Sequence, residues 1–289
     1  MTENDLDGRD RDDPEPKEDP NANWVPPGSD APFLIGLCIL GGFYLLLIVA
    51  MLAADIYFAA GDPGAVFGVL ATEEIRYATW LSLMSCCVTT ILALWVAIPI
   101  GYLMSRFEFR GKAVVDAMLD IPIFLPPLVV GLSLLILFRQ TPLVWLDDRI
   151  GIALAIPAVI LAQFAVASAF AVRTLRATFD EISPRQEQVA LTLGCSSKQA
   201  FWLVVIPQAW RGILTAATLA WARSLGEFGP LMIFAGSTRM KTEVLPISVY
   251  LEFSIGNIEG AVGISLLMVV VALAVLIFVR VVTGEKMRV

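Results

Sequence analysis

From Phe33 to Ala54 the chain carries no charged residue. A run of that length matches the helix needed to cross bilayer hydrocarbon, about 20 residues. Backbone in lipid must satisfy its own hydrogen bonds, and a continuous helix does so. Five further apolar stretches follow: Ala78–Met104, Val114–Phe138, Ile152–Val172, Ile213–Ala235 and Ala261–Val279. Of the 289 residues, 57% are hydrophobic and 16% charged, whereas an ordinary soluble domain has about a quarter charged. The expected fold class is an all-α integral membrane protein with six transmembrane helices and both termini on one side.

Charge is distributed unevenly. The first thirty residues hold ten acids and three bases, out of 27 acids and 20 bases in the chain. The rest therefore has 17 of each and no net charge. Residues 1–32 have six prolines and one large aromatic, Trp24. They bury too little apolar area to offset chain entropy and read as a disordered acidic tail. Residues 33–74 form the first span and an outer loop, 75–280 the main transmembrane domain, and 281–289 a short closing tail. The loops on one side of the six spans contain eleven Lys and Arg, against five on the other. That excess places both termini in the cytoplasm.

Several chemistries are excluded. The chain has no histidine, so it has no His general base, His metal site or Ser-His-Asp triad. Cys38, Cys86, Cys87 and Cys195 form no CxxC pair and suit no zinc site. No GxxxxGKST string is present to bind ATP.

Proline and glycine interrupt the spans: Pro122, Pro126, Pro127 and Gly131 in the third, Pro157 in the fourth, Gly226, Gly229 and Pro230 in the fifth. Freed backbone groups in such breaks need a neighbouring helix or a wet cavity, which suits a bundle that lines a path. Arg223 and Glu227 lie four apart inside the fifth span. Intramembrane charge is costly and faces the bundle interior or water. The pair serves either a pathway, with Arg223 offering positive potential to an anion, or an internal ion pair. Asp116 and Asp120, near the start of the third span, cap a helix or face a cavity.

The connection between the fourth and fifth spans is the longest on the cytoplasmic side. Ser183, Pro184 and Gln186 have the form of a helix start with a capping box, and Gly194 stands where a left-handed C-terminal residue belongs. Ser196 with Gln199 caps a second helix, Lys198 to Ile206, which Pro207 ends or kinks. Val189, Leu193, Phe201 and Trp202 give this pair apolar surface to bury, against its own bundle or in a partner's groove.

The string Gln188-Val189-Ala190-Leu191-Thr192-Leu193-Gly194, nine residues, then Val204-Val205-Ile206-Pro207 resembles the EAA loop of ABC importer permeases of type I. Ala190, Gly194 and Pro207 fall at the family's positions. Gln188 stands where the family has Glu, with its size but without its charge. Arg223-Ser224-Leu225-Gly226-Glu227-Phe228-Gly229, Thr242-Glu243-Val244-Leu245-Pro246, and Ile121 to Gly131 are similar to strings of molybdate-type permeases, with relatives in sulfate, thiosulfate and some ferric-iron permeases.

The resemblance implies a non-enzymatic permease subunit in a bacterial or archaeal cytoplasmic membrane, importing molybdate, tungstate or a sulfate-like oxyanion. Gln188, Ala190, Gly194 and Pro207 would couple it to an ATP-binding subunit, which would hold ATP and Mg; no cofactor is implied in this chain. Arg223, Glu227, Pro126 and Pro127 would line the pathway. Its implied partners are that subunit, a periplasmic or lipid-anchored binding protein, a second permease copy and the bilayer, and no nucleic acid. A secondary transporter or channel would not need the helix–Gly–helix loop, and a membrane scaffold would not need broken helices together with an intramembrane Arg/Glu pair.

Overall fold

The structure, a computed structural model, describes residues 31–283. The acidic tail 1–30 and residues 284–289 lie outside these. The chain divides after Ala53 into two units. The first consists, among the described residues, of the larger part of α1 (Ala31–Gly61), whose 18-residue apolar window is unburied.

The second unit contains α2 (Pro63–Leu70), α3 (Glu73–Arg106), α4 (Lys112–Phe124), α5 (Pro127–Phe138), α6 (Leu143–Ile150), α7 (Ile156–Glu181), α8 (Pro184–Thr192), α9 (Ser197–Ala200), α10 (Ile206–Leu225), α11 (Leu245–Ser254) and α12 (Ile258–Thr283). π turns occupy Phe201–Val205 and Leu231–Ala235.

At the centre, α3 and α7 run in the same direction. Thr89 Oγ1 donates to Gln163 Oε1 at 3.1 Å. Farther along both helices, Arg106 Nη1 donates to the Phe179 carbonyl at 2.9 Å. Helix α10 runs back against them: the Gln163 amide donates to the Ser224 carbonyl at 3.2 Å, while Val205 and Ala209 share a buried cluster with Leu175 and Phe179. Helix α12 follows α3, with Ile264 beside Ile75 and Val271 and Val275 beside Cys86.

Parallel α3 and α7 require the chain between them to cross back. It does so through α4 and α5, bent by 110°. Asp116 and Asp120 on α4 meet Arg176 and Arg173 near the end of α7, whereas Phe138 on α5 packs with Phe234, Ile152 and Ala158 at its beginning. The third span is therefore broken rather than a single helix over Val114–Phe138. Residues before proline are driven to extended backbone; Leu125 (ψ 138°) and Pro126 (ψ 131°) turn the chain. With this pair counted as one span, six segments are long and apolar enough to cross a membrane. Gly131 permits the break to pack: a Cβ there would lie 2.7 Å from Pro230 Cα.

Four expectations are corrected. Pro157 does not interrupt the fourth span but sits in the first turn of α7, where its missing N–H costs nothing. The fifth span does not run from Ile213 to Ala235. It begins at Ser197 and ends at Leu225. Pro207 neither ends nor breaks it, because the π turn just before takes up the proline: the Ile206 N–H reaches the Phe201 carbonyl five residues back. Asp116 and Asp120 cap no helix; they face a small cavity of about 90 Å³, as the other expectation had it, and pair there with Arg176 and Arg173 of α7.

Candidate functional site

The helix–Gly–helix loop folds as α8, a glycine turn and α9. Gly194 has φ +92°. The Cys195 N–H donates to the Ala190 carbonyl at 3.1 Å, and the Gly194 N–H to that of Leu191 at 3.0 Å. This is the paired closure that satisfies the last carbonyls of a helix through a left-handed residue. The capping box of Ser196 and Gln199 forms, with bonds of 2.8 and 3.3 Å. The one expected at Ser183 does not: its side chain makes no cap bond.

Ala190 and Ala200 are buried. Gln188 is exposed, and so are Val189, Leu193 and Trp202, Leu193 at 81%. Of the two fates open to the loop's apolar surface, the bundle takes only the small residues and Phe201, whose ring stacks edge-on against Tyr102 at 4.7 Å. The large ones remain presented outward. Pro207 lies in the first turn of α10.

Sequence reasoning assigned the loop's key polar position to Gln188 and overlooked the residue that anchors it. Glu187 accepts a hydrogen bond from the Tyr102 hydroxyl and pairs with Arg106 at 3.4 Å. Its position beside the motif was the only available signal, because its partners lie on a distant part of the chain.

The second site lies where α10 meets the broken span. Pro126, Pro127, Arg223 and Glu227, together with Leu128, Gly226, Phe228 and Gly229, line one cavity of about 380 Å³. Arg223 Nη1 stands 2.6 Å from Glu227 Oε1. Helix α10 ends between them, so they do not share one helical face. Glu227 is wholly buried, while the Arg223 side chain remains 28% exposed. The guanidinium also stands 5.6 Å from the centre of the Phe170 ring on α7. Glu227 Oε2 has no hydrogen-bond partner among the described residues. The arrangement gives a half-exposed cation, fixed by a buried acid, at a gap between two helix ends.

A bundle of spans with a broken third one and a helix pair that leaves its large apolar side chains exposed defines a class, the membrane subunit of an ABC importer. The chain belongs to the family "Binding-protein-dependent transport system inner membrane component", whose model matches residues 97–284. It is 32% identical to the Molybdenum transport system permease protein ModB of Mycobacterium tuberculosis, over 87% of this chain and 94% of that one. It is 36% identical to the Molybdate/tungstate transport system permease protein WtpB of Pyrococcus furiosus, over 75% and 80%. It is also 29% identical to the Sulfate transport system permease protein CysW of Synechocystis, over 83% and 89%. Its fold is similar to a bacterial ABC transporter involved in import of the acidic polysaccharide alginate, with TM-score 0.70, 17% identity, and 89% of this chain and 96% of that chain covered. The chain is thus a multi-pass transport component, and ATP hydrolysis in such importers lies in separate subunits.

Proposed function

We propose that this chain is the permease of an ATP-driven importer that moves molybdate or tungstate into the cytoplasm. The observation that carries the oxyanion reading is Arg223: a partly exposed guanidinium at a cavity formed by two broken helices, with no acid but Glu227 lining it. A buried counter-charge holds the guanidinium in place, and residual exposure lets a passing anion reach it. The similarity to molybdate-type permeases supports the choice of ion. Sulfate is the second reading, favoured by the similarity to a sulfate permease.

In this account both termini are cytoplasmic, as the base asymmetry requires. Residues α8 to α9, with Gln188, Ala190, Gly194 and the exposed Val189 and Leu193, dock on an ATP-binding subunit that holds ATP and Mg. Pro207, inside the fifth span, follows the π turn that joins α9 to α10. A binding protein delivers the anion on the outer side, and two permease copies enclose the path. Uptake of labelled molybdate and sulfate by intact cells, with and without this gene, tests the proposal. Loss of molybdate uptake with sulfate uptake retained supports it; molybdate uptake that survives deletion contradicts it.

A further inference from the structure

One guanidinium ties together elements that the chain does not connect. Arg106, the last residue of α3, donates through Nη1 to the Phe179 carbonyl and through Nη2 to the Ile182 carbonyl, both at 2.9 Å. It therefore closes the C-terminal end of α7, where helix carbonyls lack partners and cations are favoured. Its third face meets Glu187 on α8 at 3.4 Å, and both side chains are largely buried, at 9% and 14% exposure.

One turn earlier on α3, Tyr102 donates its hydroxyl to the other oxygen of Glu187. Its ring packs edge-on against Phe179 of α7 at 5.8 Å and against Phe201 of the π turn at 4.7 Å. The ends of α3 and α7, the helix α8 and the start of the fifth span thus meet at one knot. By sequence, α8 is joined only to α7 and α9. Glu187 supplies its polar link to α3 among the described residues.

We propose that Glu187, held by Arg106 and Tyr102, is a positioning residue that carries displacement of α8 into α3 and α7, so that ATP-driven motion reaches the two central parallel spans through this knot. This rests on the importer reading above. The exposed face of α8 meets the partner, and the buried Glu187 face transmits. A buried ion pair fixes geometry more than it adds stability, which suits such a role. Ring contacts lack the directional restraint that the charge-assisted bond from the Tyr102 hydroxyl to Glu187 gives α8.

The test uses the permease assembled with its ATP-binding subunit and binding protein in vesicles. Three variants are compared with the parent: Glu187→Gln, Tyr102→Phe and the exposed-pair control Lys112→Gln. Labelled molybdate and sulfate uptake is divided by ATP hydrolysed. In a cysteine-free background, spin labels at the exposed positions 103 and 185 report the distance between α3 and α8 before and after nucleotide trapping with vanadate.

The proposal expects uptake per ATP to fall about tenfold in Glu187→Gln and severalfold in Tyr102→Phe, and to stay within twofold in the control. It also expects a label distance that nucleotide leaves fixed in the parent and changes in both knot variants. Unchanged uptake per ATP together with a fixed label distance in these variants overturns it. Should Glu187→Gln fail to reach the membrane, Tyr102→Phe decides the matter, since it removes one hydroxyl. If the parent itself takes up neither ion, the oxyanion reading fails, and the label distance still judges the knot.

Discussion

Arg223 Nη1 and Glu227 Oε1 stand 2.6 Å apart across the end of α10, the acid wholly buried and the base partly open to the cavity beside Pro126 and Pro127. The asymmetry of that pair separates a pathway role from a structural one. A buried charge left without its partner costs about 3–5 kcal/mol, so each single neutralisation should lower the amount of protein in the membrane. Exchanging the two (Arg223→Glu with Glu227→Arg) restores pairing but places the acid at the open position and the base at the closed one. Membrane level should recover in the exchange while molybdate uptake stays below about a tenth of the parent. Recovery of both together would show that the pair serves packing alone.

Gly194→Val should separate assembly from insertion. At φ +92° a β-branched side chain costs about 1–3 kcal/mol of backbone strain, although space is open around the position. The turn between α8 and α9 would relax and shift the exposed Leu193 and Trp202. The expected outcome is normal membrane level with loss of the co-purifying ATP-binding subunit. Transport at the parental rate would remove the turn from the coupling account.

A single cysteine at position 198, in a cysteine-free background, should resist membrane-impermeant maleimide in intact cells and react after permeabilisation. Lys198 lies at the first turn of α9, on the side with the excess of bases. Labelling from outside would reverse the orientation.

Glu243, outside the spans, provides a pH test. Burial holds its carboxyl above the usual glutamate range, opposed by the Ser248 hydroxyl and Arg239 and assisted by Glu252 and Glu74. A carboxyl whose folded value is raised binds its proton more tightly when folded. Its contribution to stability is therefore full below the unfolded value, about 4.3, and is lost as pH rises through the folded value. Thermal stability in detergent should fall across this window, and Glu243→Gln should flatten the fall. Identical pH profiles for the two proteins would place the dependence elsewhere.

How far the sequence foretold these sites depends on range. The spans, the capping box of Ser196 and Gln199, and the glycine turn at Gly194 are set by near neighbours and could be read directly. The start of the fifth span could not. Lys198, Gln199, Gln208 and Arg211 dilute the apolar signal between residues 198 and 212, and Pro207 reads as a terminator until a π turn absorbs it. Pro126 and Pro127 mark the 110° bend in the sequence, but the close approach of Gly131 to Pro230 that goes with it arises only in the tertiary fold. Glu187 was passed over for Gln188 because its role depends on Arg106 and Tyr102, which only tertiary folding brings near.

The central claim is ATP-driven oxyanion import, and vesicle uptake tests it most directly. The permease is reconstituted with its ATP-binding subunit inside and binding protein outside, and labelled molybdate is followed with excess unlabelled sulfate. The account predicts accumulation only when ATP is inside and binding protein outside, with sulfate competing weakly. Accumulation driven by an ion gradient, with no ATP and no ATP-binding subunit, would contradict it.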